Sequence, residues 1–416
     1  MSRRRSTAVD PLEIFADEFA QAPSNDAFAD DFGQVAEAEE PVKRIETPID
    51  PVPCDALPAA PRKGRGAVTN SSGRYERYAQ ERVDDGWQRP ETPDDAEPPL
   101  RTTVAIDSSR TVIARNQSPD VPFDRSINPY RGCEHGCVYC FARPTHAYLG
   151  LSPGLDFESR LFAKPDAPAL LRRELARRGY DCQPIALGTN TDPYQPVERD
   201  RRITRGILEV LAEHDHPLTI VTKSDLVVRD LDILGPMAAK GLASVSLSVT
   251  SLDRELSRLM EPRAPTPEKR LAAVRACAEA GVPAGVLVAP IVPAVNDDEI
   301  EAILARARDA GASHAAWVLL RLPLEIKDLV EEWLRAHFPD RAERVLSLVR
   351  QSRGGALYRA EWGKRMSGEG PYAHMIAQRF RRACQQAGLG RRSPKLDTSL
   401  FALPDGPARQ MSLFDG

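Results

Sequence analysis

The stretch 128–148, NPYRGCEHGCVYCFARPTHAY, constrains this chain more than any other. It sets Cys133, Cys137 and Cys140 in a C-x3-C-x2-C spacing, with Gly132, Gly136, Tyr139 and Phe141 among and beside them. A helix or strand would splay three thiolates spaced this way, so the segment is expected to loop round a compact soft-ligand centre. Glycine adopts φ > 0 without penalty, which lets the backbone curl. Thiolates select zinc, copper(I) or iron–sulfur clusters. An electron-transfer cluster takes four cysteines; three leave one iron open to a substrate or cofactor. Zinc stays open as a competing centre, with His135 or His146 as the fourth ligand, although zinc sites usually bring a second close ligand pair that is missing here.

Composition sets outer bounds. A net charge of −4 and a pI near 6.1 over 416 residues argue against wholesale nucleic-acid binding and leave room for a local basic face. No apolar run reaches membrane-spanning length. The first residues, MSRRRSTAVDPLEIFADEF, lack the apolar core of a signal peptide. The expectation is a cytoplasmic protein with no membrane partner. Seven cysteines in a chain this long do not make a disulfide scaffold.

Residues 1–100 carry 21 Asp and Glu against 12 Lys and Arg, many Pro and Ala, and little apolar periodicity. They read as a disordered acidic tail, with a short helix near 11–19. From 101 to 323, short apolar runs alternate with amphipathic segments. Strands are expected at 111–114, 184–188, 218–223, 243–250, 283–290 and 314–320. Helices are expected at 201–214, 226–240, 266–280 and 297–310, the third with Thr266 as N-cap, Pro267 at the first position and Gly281 as stop. Such alternation implies an α/β fold with a parallel sheet, open or closed into a barrel. Beyond Pro323 the strand signal ends. Residues 324–395 read as a helical extension, with helices at 326–338, 341–351 and 372–387. Within it, 351–395 hold ten Lys and Arg against two Asp and Glu, a basic patch interleaved with Tyr358, Trp362, Tyr372 and Phe380. That mixture suits phosphates and stacked bases. Residues 396–416 read as a flexible tail.

The C-x3-C-x-aromatic-C motif ahead of an alternating β/α domain resembles the radical S-adenosylmethionine (radical SAM) superfamily, over roughly 128–322. The resemblance implies a partial (β/α)6 TIM-type barrel and a 4Fe-4S cluster on Cys133, Cys137 and Cys140. It implies an open iron chelated by the amino and carboxylate groups of S-adenosyl-L-methionine (SAM), an electron donor for the cluster, and a 5′-deoxyadenosyl radical as the reactive species. Three further segments resemble the spore-photoproduct-lyase-like branch: GTNTDPYQPVE (188–198), VTKS (221–224) and SLSVTS (246–251). Each follows or ends a predicted strand, where barrel folds gather ligands. By this resemblance Asn190, Thr191 and Asp192 lie near the SAM amino group. Lys223 pairs with its carboxylate, Ser248 bonds the carboxylate or ribose, and Tyr139 flanks the adenine. The stretch 288–293, VAPIVP, supplies backbone contacts to that base.

Two departures from the lyase stand out. The lyase keeps a hydrogen-donor cysteine where this chain has Gly188 and Thr189, and a tyrosine where it has Phe141. Cys182 precedes its strand and is expected at the opposite barrel end; Cys277 and Cys384 read as core, and Cys54 as tail. The expected function is a radical SAM enzyme acting on DNA or another nucleic acid, repair-like but not thymine-dimer reversal as in the lyase. Two alternatives are the same chemistry on a protein or small molecule, and a non-enzymatic iron–sulfur or zinc recruitment module. Gln410, Leu413 and Phe414, in QMSLF, resemble the peptide by which bacterial repair proteins dock on the sliding DNA clamp.

Overall fold

The apolar runs form one seven-stranded sheet. Its members are β2 (Ile113–Arg115), β3 (Arg125–Ile127), β6 (Ile185–Leu187), β7 (Leu218–Thr222), β8 (Ala243–Ser248), β9 (Ala284–Ile291) and β10 (His314–Leu319), in the order β10-β9-β8-β7-β6-β3-β2. The computed structural model describes residues 61–76 and 100–403. Every neighbouring pair from β3 to β10 is parallel; β2 alone runs antiparallel, against β3. No ladder joins β10 to β2 among the described residues. Six parallel strands in an unclosed sheet are the expected partial barrel. A small sheet, β1 (Thr103–Ile106), β5 (Arg160–Ala163) and β4 (Tyr130–Arg131), braces the cysteine loop from outside.

The helices are α1 (Leu155–Ser159), α2 (Ala167–Leu175), α3 (Glu198–Arg201), α4 (Ile203–Glu213), α5 (Leu231–Ala239), α6 (Arg254–Met260), α7 (Pro267–Glu279), α8 (Ile300–Asp309), α9 (Ile326–His337), α10 (Pro339–Gln351) and α11 (Gly370–Ala387). Their apolar stripes cover the outer face of the sheet. In α4, Ile203, Ile207, Leu208 and Leu211 are buried, each worth about 2 kcal/mol of apolar burial. Side chains alternate along β8. Val245 and Leu247 join the core under the helices. Ser244 and Ser246 turn the other way, to Ser393 at 3.0 Å and to His314 at 3.3 Å, and Ser248 opens onto a cavity.

Four expectations need correction. The predicted helix 201–214 breaks at Arg202, which takes a left-handed φ of 50°, leaving α3 and α4. Within the acidic tail, residues 61–76 are packed: Arg65, Gly66, Ala67 and Val68 are buried. The remainder of 1–99, with its predicted helix and Cys54, lies outside the described residues. Likewise residues 396–403 of the expected flexible tail are packed. Leu396 is buried, and the Phe401 ring lies 5.4 Å from the rings of both Tyr180 and His216. QMSLF lies outside the described residues. Among them, no helix is long and apolar enough to cross a membrane.

The basic stretch 351–395 is also not one surface. Arg353 donates to the Leu319 and Leu320 carbonyls at the C-terminal end of β10, whereas Gly390 bridges His314 at its N-terminal end. The two ends of a six-residue strand stand about 17 Å apart.

Candidate functional site

Parallel strands send all their C-terminal loops to one end of the sheet. There the connection from β3, past β4, carries the three cysteines and meets the loops after β6, β7, β8, β9 and β10 around a cavity of about 960 Å³, its open mouth included. Cys133, Cys137 and Cys140 line it together with Tyr139, Asn190, Asp192, Lys223 and Ser248. Thr191 does not. It is buried, and its hydroxyl donates to the Tyr130 carbonyl at 2.8 Å. Ala289 and Pro290 of the VAPIVP stretch line the cavity, as do Phe123, Phe141, Val318, Leu319 and Arg321.

The cysteine loop owes its shape to groups far away in sequence. Gly132 and Gly136 take φ of 75° and 69°; a Cβ on Gly132 would meet the Phe157 carbonyl at 2.8 Å, and one on Gly136 the Glu158 carboxylate at 2.8 Å. Arg143 is wholly buried and donates to the Cys137 carbonyl at 2.8 Å and the Gly136 carbonyl at 3.1 Å, while pairing with Glu158 at 2.5 Å. Glu158 also accepts the Gly66 and Ala67 amides at 2.9 and 2.8 Å. Residues 61–76 thereby strap the loop, and Thr69 and Arg74 fasten the strap to Glu332 and Glu325 of the C-terminal extension at 2.7 Å each. From the other side Gln195 accepts the Glu134 amide at 2.9 Å and donates to the Gly132 carbonyl at 3.1 Å.

Asp192 is a structural hub. One carboxylate oxygen accepts the Tyr194 amide at 2.9 Å and the Thr222 hydroxyl at 2.7 Å. The other accepts the Lys223 amide at 2.7 Å and lies 3.3 Å from His135 Nδ1. Burial raises its pKa, but His135, Thr222 and the Lys223 amide outweigh that and hold it at about 2. Tyr139 is oriented by a second buried carboxylate. Its hydroxyl donates to Glu261, which also takes the Thr250 hydroxyl at 2.8 Å and pairs with Arg270. Lys223 places its ammonium 5.8 Å from the centre of the Tyr139 ring. Arg143 and Gln195 lie within the quoted motif stretches without a role assigned to them there, while Glu158, Glu261 and Arg270 have no local sequence signal and only the tertiary fold brings them to the loop.

Of the two histidines weighed as zinc ligands, His135 lines the cavity beside the cysteines and His146 does not. His146 Nε2 lies 2.9 Å from the Arg160 carbonyl, and burial pushes its pKa down to about 4. His135 faces Asp192. Among the described residues no three His, Cys, Asp or Glu side chains converge so as to hold a single ion. A mononuclear zinc site needs that convergence; thiolates on separate corners of a cluster do not. Burial pushes all three thiol pKa values up, that of Cys137 to about 12; a metal that binds them displaces their protons.

Gly188 leaves no room for a thiol at its own position. It sits at φ 85°, and a Cβ there would lie 2.0 Å from the Val221 carbonyl oxygen. No side chain fits. The three cysteines of the loop are the thiols that line the cavity among the described residues; Cys277 and Cys384 are core, as expected.

A family model described as the radical SAM superfamily matches residues 127–307. An uncharacterised protein of Mycobacterium tuberculosis is 38% identical over 243 residues, which are 57% of this chain and 72% of the relative. An uncharacterised protein of Methanocaldococcus jannaschii is 30% identical over 173 residues, 42% of this chain and 62% of that protein. Among solved structures, a mutant of spore photoproduct lyase aligns over 68% of this chain and 78% of its own, with 21% identity and a TM-score of 0.49.

Proposed function

The chain belongs to the radical SAM superfamily, whose cofactors are a 4Fe-4S cluster and SAM, and we propose that it is an enzyme of that superfamily acting on a nucleic acid. The observation that carries the enzymatic part is the shared cavity. Three thiols, Asn190, Lys223 and Ser248 open onto one space.

These residues fit both cofactors. The two glycines make a cradle that a Cβ would fill. Asn190 Oδ1 is a buried acceptor with no hydrogen-bond partner among the described residues, and it suits the ammonium of an amino acid. Lys223 offers a cation to its carboxylate. When bound, the cluster and SAM supply a 5′-deoxyadenosyl radical able to take hydrogen from an unactivated C–H bond. The chain's own part is positional. Asp192 sets the backbone of Lys223. Glu261 holds the Tyr139 ring against the cavity, and Phe123, Phe141, Val318 and Leu319 give it an apolar wall.

The nucleic-acid part rests on the resemblance of 188–198, 221–224 and 246–251 to the lyase-like branch, and on arginine and aromatic side chains beside the cavity. A clamp-docking peptide at Gln410, Leu413 and Phe414 accords with it; a clamp pull-down that Phe414→Ala leaves unchanged would remove that support. The decisive experiment incubates reduced, cluster-loaded protein and SAM with ultraviolet-damaged DNA. Formation of 5′-deoxyadenosine should rise with damaged DNA, and deuterium from labelled DNA should enter it. A rate indifferent to every DNA and RNA tested contradicts the substrate assignment.

A further inference from the structure

Tyr139, Ser248 and Pro290 reach the cavity from three elements, the cysteine loop, β8 and β9. One buried polar network stands behind all three. At its centre Glu261 and Arg270, each 1% exposed, form an ion pair. Glu261 accepts the Tyr139 hydroxyl. Arg270 donates to the Ser248 carbonyl at 3.1 Å and to the Pro265 carbonyl at 2.8 Å.

The network continues through Thr250. Its hydroxyl donates to Glu261 at 2.8 Å, and its carbonyl accepts the Asn296 side-chain amide at 2.7 Å. Asn296 is wholly buried. Its amide also reaches the Pro290 carbonyl at 3.1 Å, and its oxygen accepts the Val292 amide at 2.7 Å. A buried ion pair adds little net stability over well-packed apolar groups. What it imposes is direction, because buried polar groups whose partners are filled hold one arrangement. The groups held here are an aromatic ring and two strand ends, and all of them face the cavity.

We propose that Glu261, Arg270 and Asn296 are positioning residues for the adenosyl end of SAM. This rests on the cofactor reading above, in which Tyr139 flanks the adenine. Glu261 sets the tilt of the Tyr139 ring. Arg270 fixes the backbone at Ser248, whose side chain opens onto the cavity. Asn296 keeps the main chain from 290 to 292 in one conformation beside it. The adenosyl group then meets a surface in place before it binds, which spares the cost of ordering these groups on association. The amino-acid end is left to Asn190 and Lys223, with Asp192 behind Lys223.

The test uses cluster-loaded protein and two probes, SAM and 5′-methylthioadenosine, which carries the adenosyl end without the amino acid. Equilibrium dialysis gives both dissociation constants. In Tyr139→Phe and in Glu261→Gln both probes should bind about tenfold more weakly, the worth of a hydrogen bond to a charged group. The double variant should be within about twofold of Glu261→Gln, because the Tyr139 hydroxyl acts through Glu261. Asp192→Asn, at the amino-acid end, should weaken SAM and leave 5′-methylthioadenosine within about twofold of wild type. Iron content and the urea midpoint report whether each variant is intact. A Glu261→Gln protein that holds its iron and binds 5′-methylthioadenosine as wild type does overturns the proposal. Should Glu261→Gln fail to load iron, the comparison is read from Tyr139→Phe, and wild-type affinity there overturns it. Wild type that loads iron yet binds neither probe sinks the cofactor reading, and this inference with it.

Discussion

Asp192 and Lys223 are joined through the main chain: a carboxylate oxygen of Asp192 accepts the Lys223 amide at 2.7 Å. The same carboxylate takes the Tyr194 amide and the Thr222 hydroxyl. It therefore ties the loop after β6 to the end of β7, and its work is to aim Lys223 into the cavity.

Replacing Asp192 with Asn turns one acceptor oxygen into a donor facing those N–H and O–H groups. Hydrogen bonds to a charged group are worth about 1.5–3 kcal/mol, so SAM affinity should drop by roughly tenfold to a hundredfold. Cluster content should persist, because Gln195 and Arg143 hold the cysteine loop independently. Equilibrium binding of SAM to reconstituted protein, with iron assayed in parallel, reads both quantities. Unchanged affinity would refute the role given to Asp192.

The Arg143–Glu158 pair is wholly buried. Removing one partner of such a pair strands the other charge and typically costs about 3–5 kcal/mol. Glu158→Ala should therefore lower the urea midpoint of the apoprotein and, by loosening the strap at Gly66 and Ala67, reduce iron retention. A variant as stable and as iron-rich as wild type would show that the strap does not support the loop.

Much of this was legible in the sequence and some was not, for a physical reason. The strand-helix alternation from 184 to 320 reports burial within one element at a time, and the elements β6 to β10 lie where it placed them. Lys223 and Ser248 reach the cavity because they sit at or just past strand ends. Thr191 does not reach the cavity because neighbouring residues in a turn point different ways; Asn190 and Asp192 face the cavity and Thr191 turns to Tyr130. The strap was missed because its partners are remote: Gly66 meets Glu158 across 92 residues. A Gly- and Arg-containing segment without apolar periodicity looks like tail until that partner is known.

Gly188 bears on where a hydrogen donor can be installed. Gly188→Cys forces a side chain into a left-handed backbone position facing the Val221 carbonyl, and should destabilise the protein by more than the about 1–3 kcal/mol of backbone strain alone. Thr189, which lines the cavity, should accept cysteine with the fold and cluster intact. Thermal unfolding of the two variants separates them; equal stability would contradict the packing described at Gly188.

Acid should unfold the protein through its buried histidines. Burial holds His216 and His314 at about 4, against about 6.5 in an unfolded chain. Between these values the unfolded state binds more protons, so stability is fully present above about pH 6.5 and falls as the pH drops towards 4. The loss is on the order of 3 kcal/mol for each imidazole. Urea unfolding at stepped pH should show this slope, flattened in His314→Gln. A flat profile across the window would argue against buried neutral imidazoles.

The central claim is that Cys133, Cys137 and Cys140 hold a cluster that cleaves SAM. The most direct measurement is anaerobic reconstitution followed by dithionite and SAM, with iron, sulfide and 5′-deoxyadenosine quantified. The account predicts about four irons and about four sulfides per chain, 5′-deoxyadenosine from the wild type, and none from Cys133→Ala, Cys137→Ala or Cys140→Ala. One zinc per chain, with no 5′-deoxyadenosine under any reductant, would contradict it.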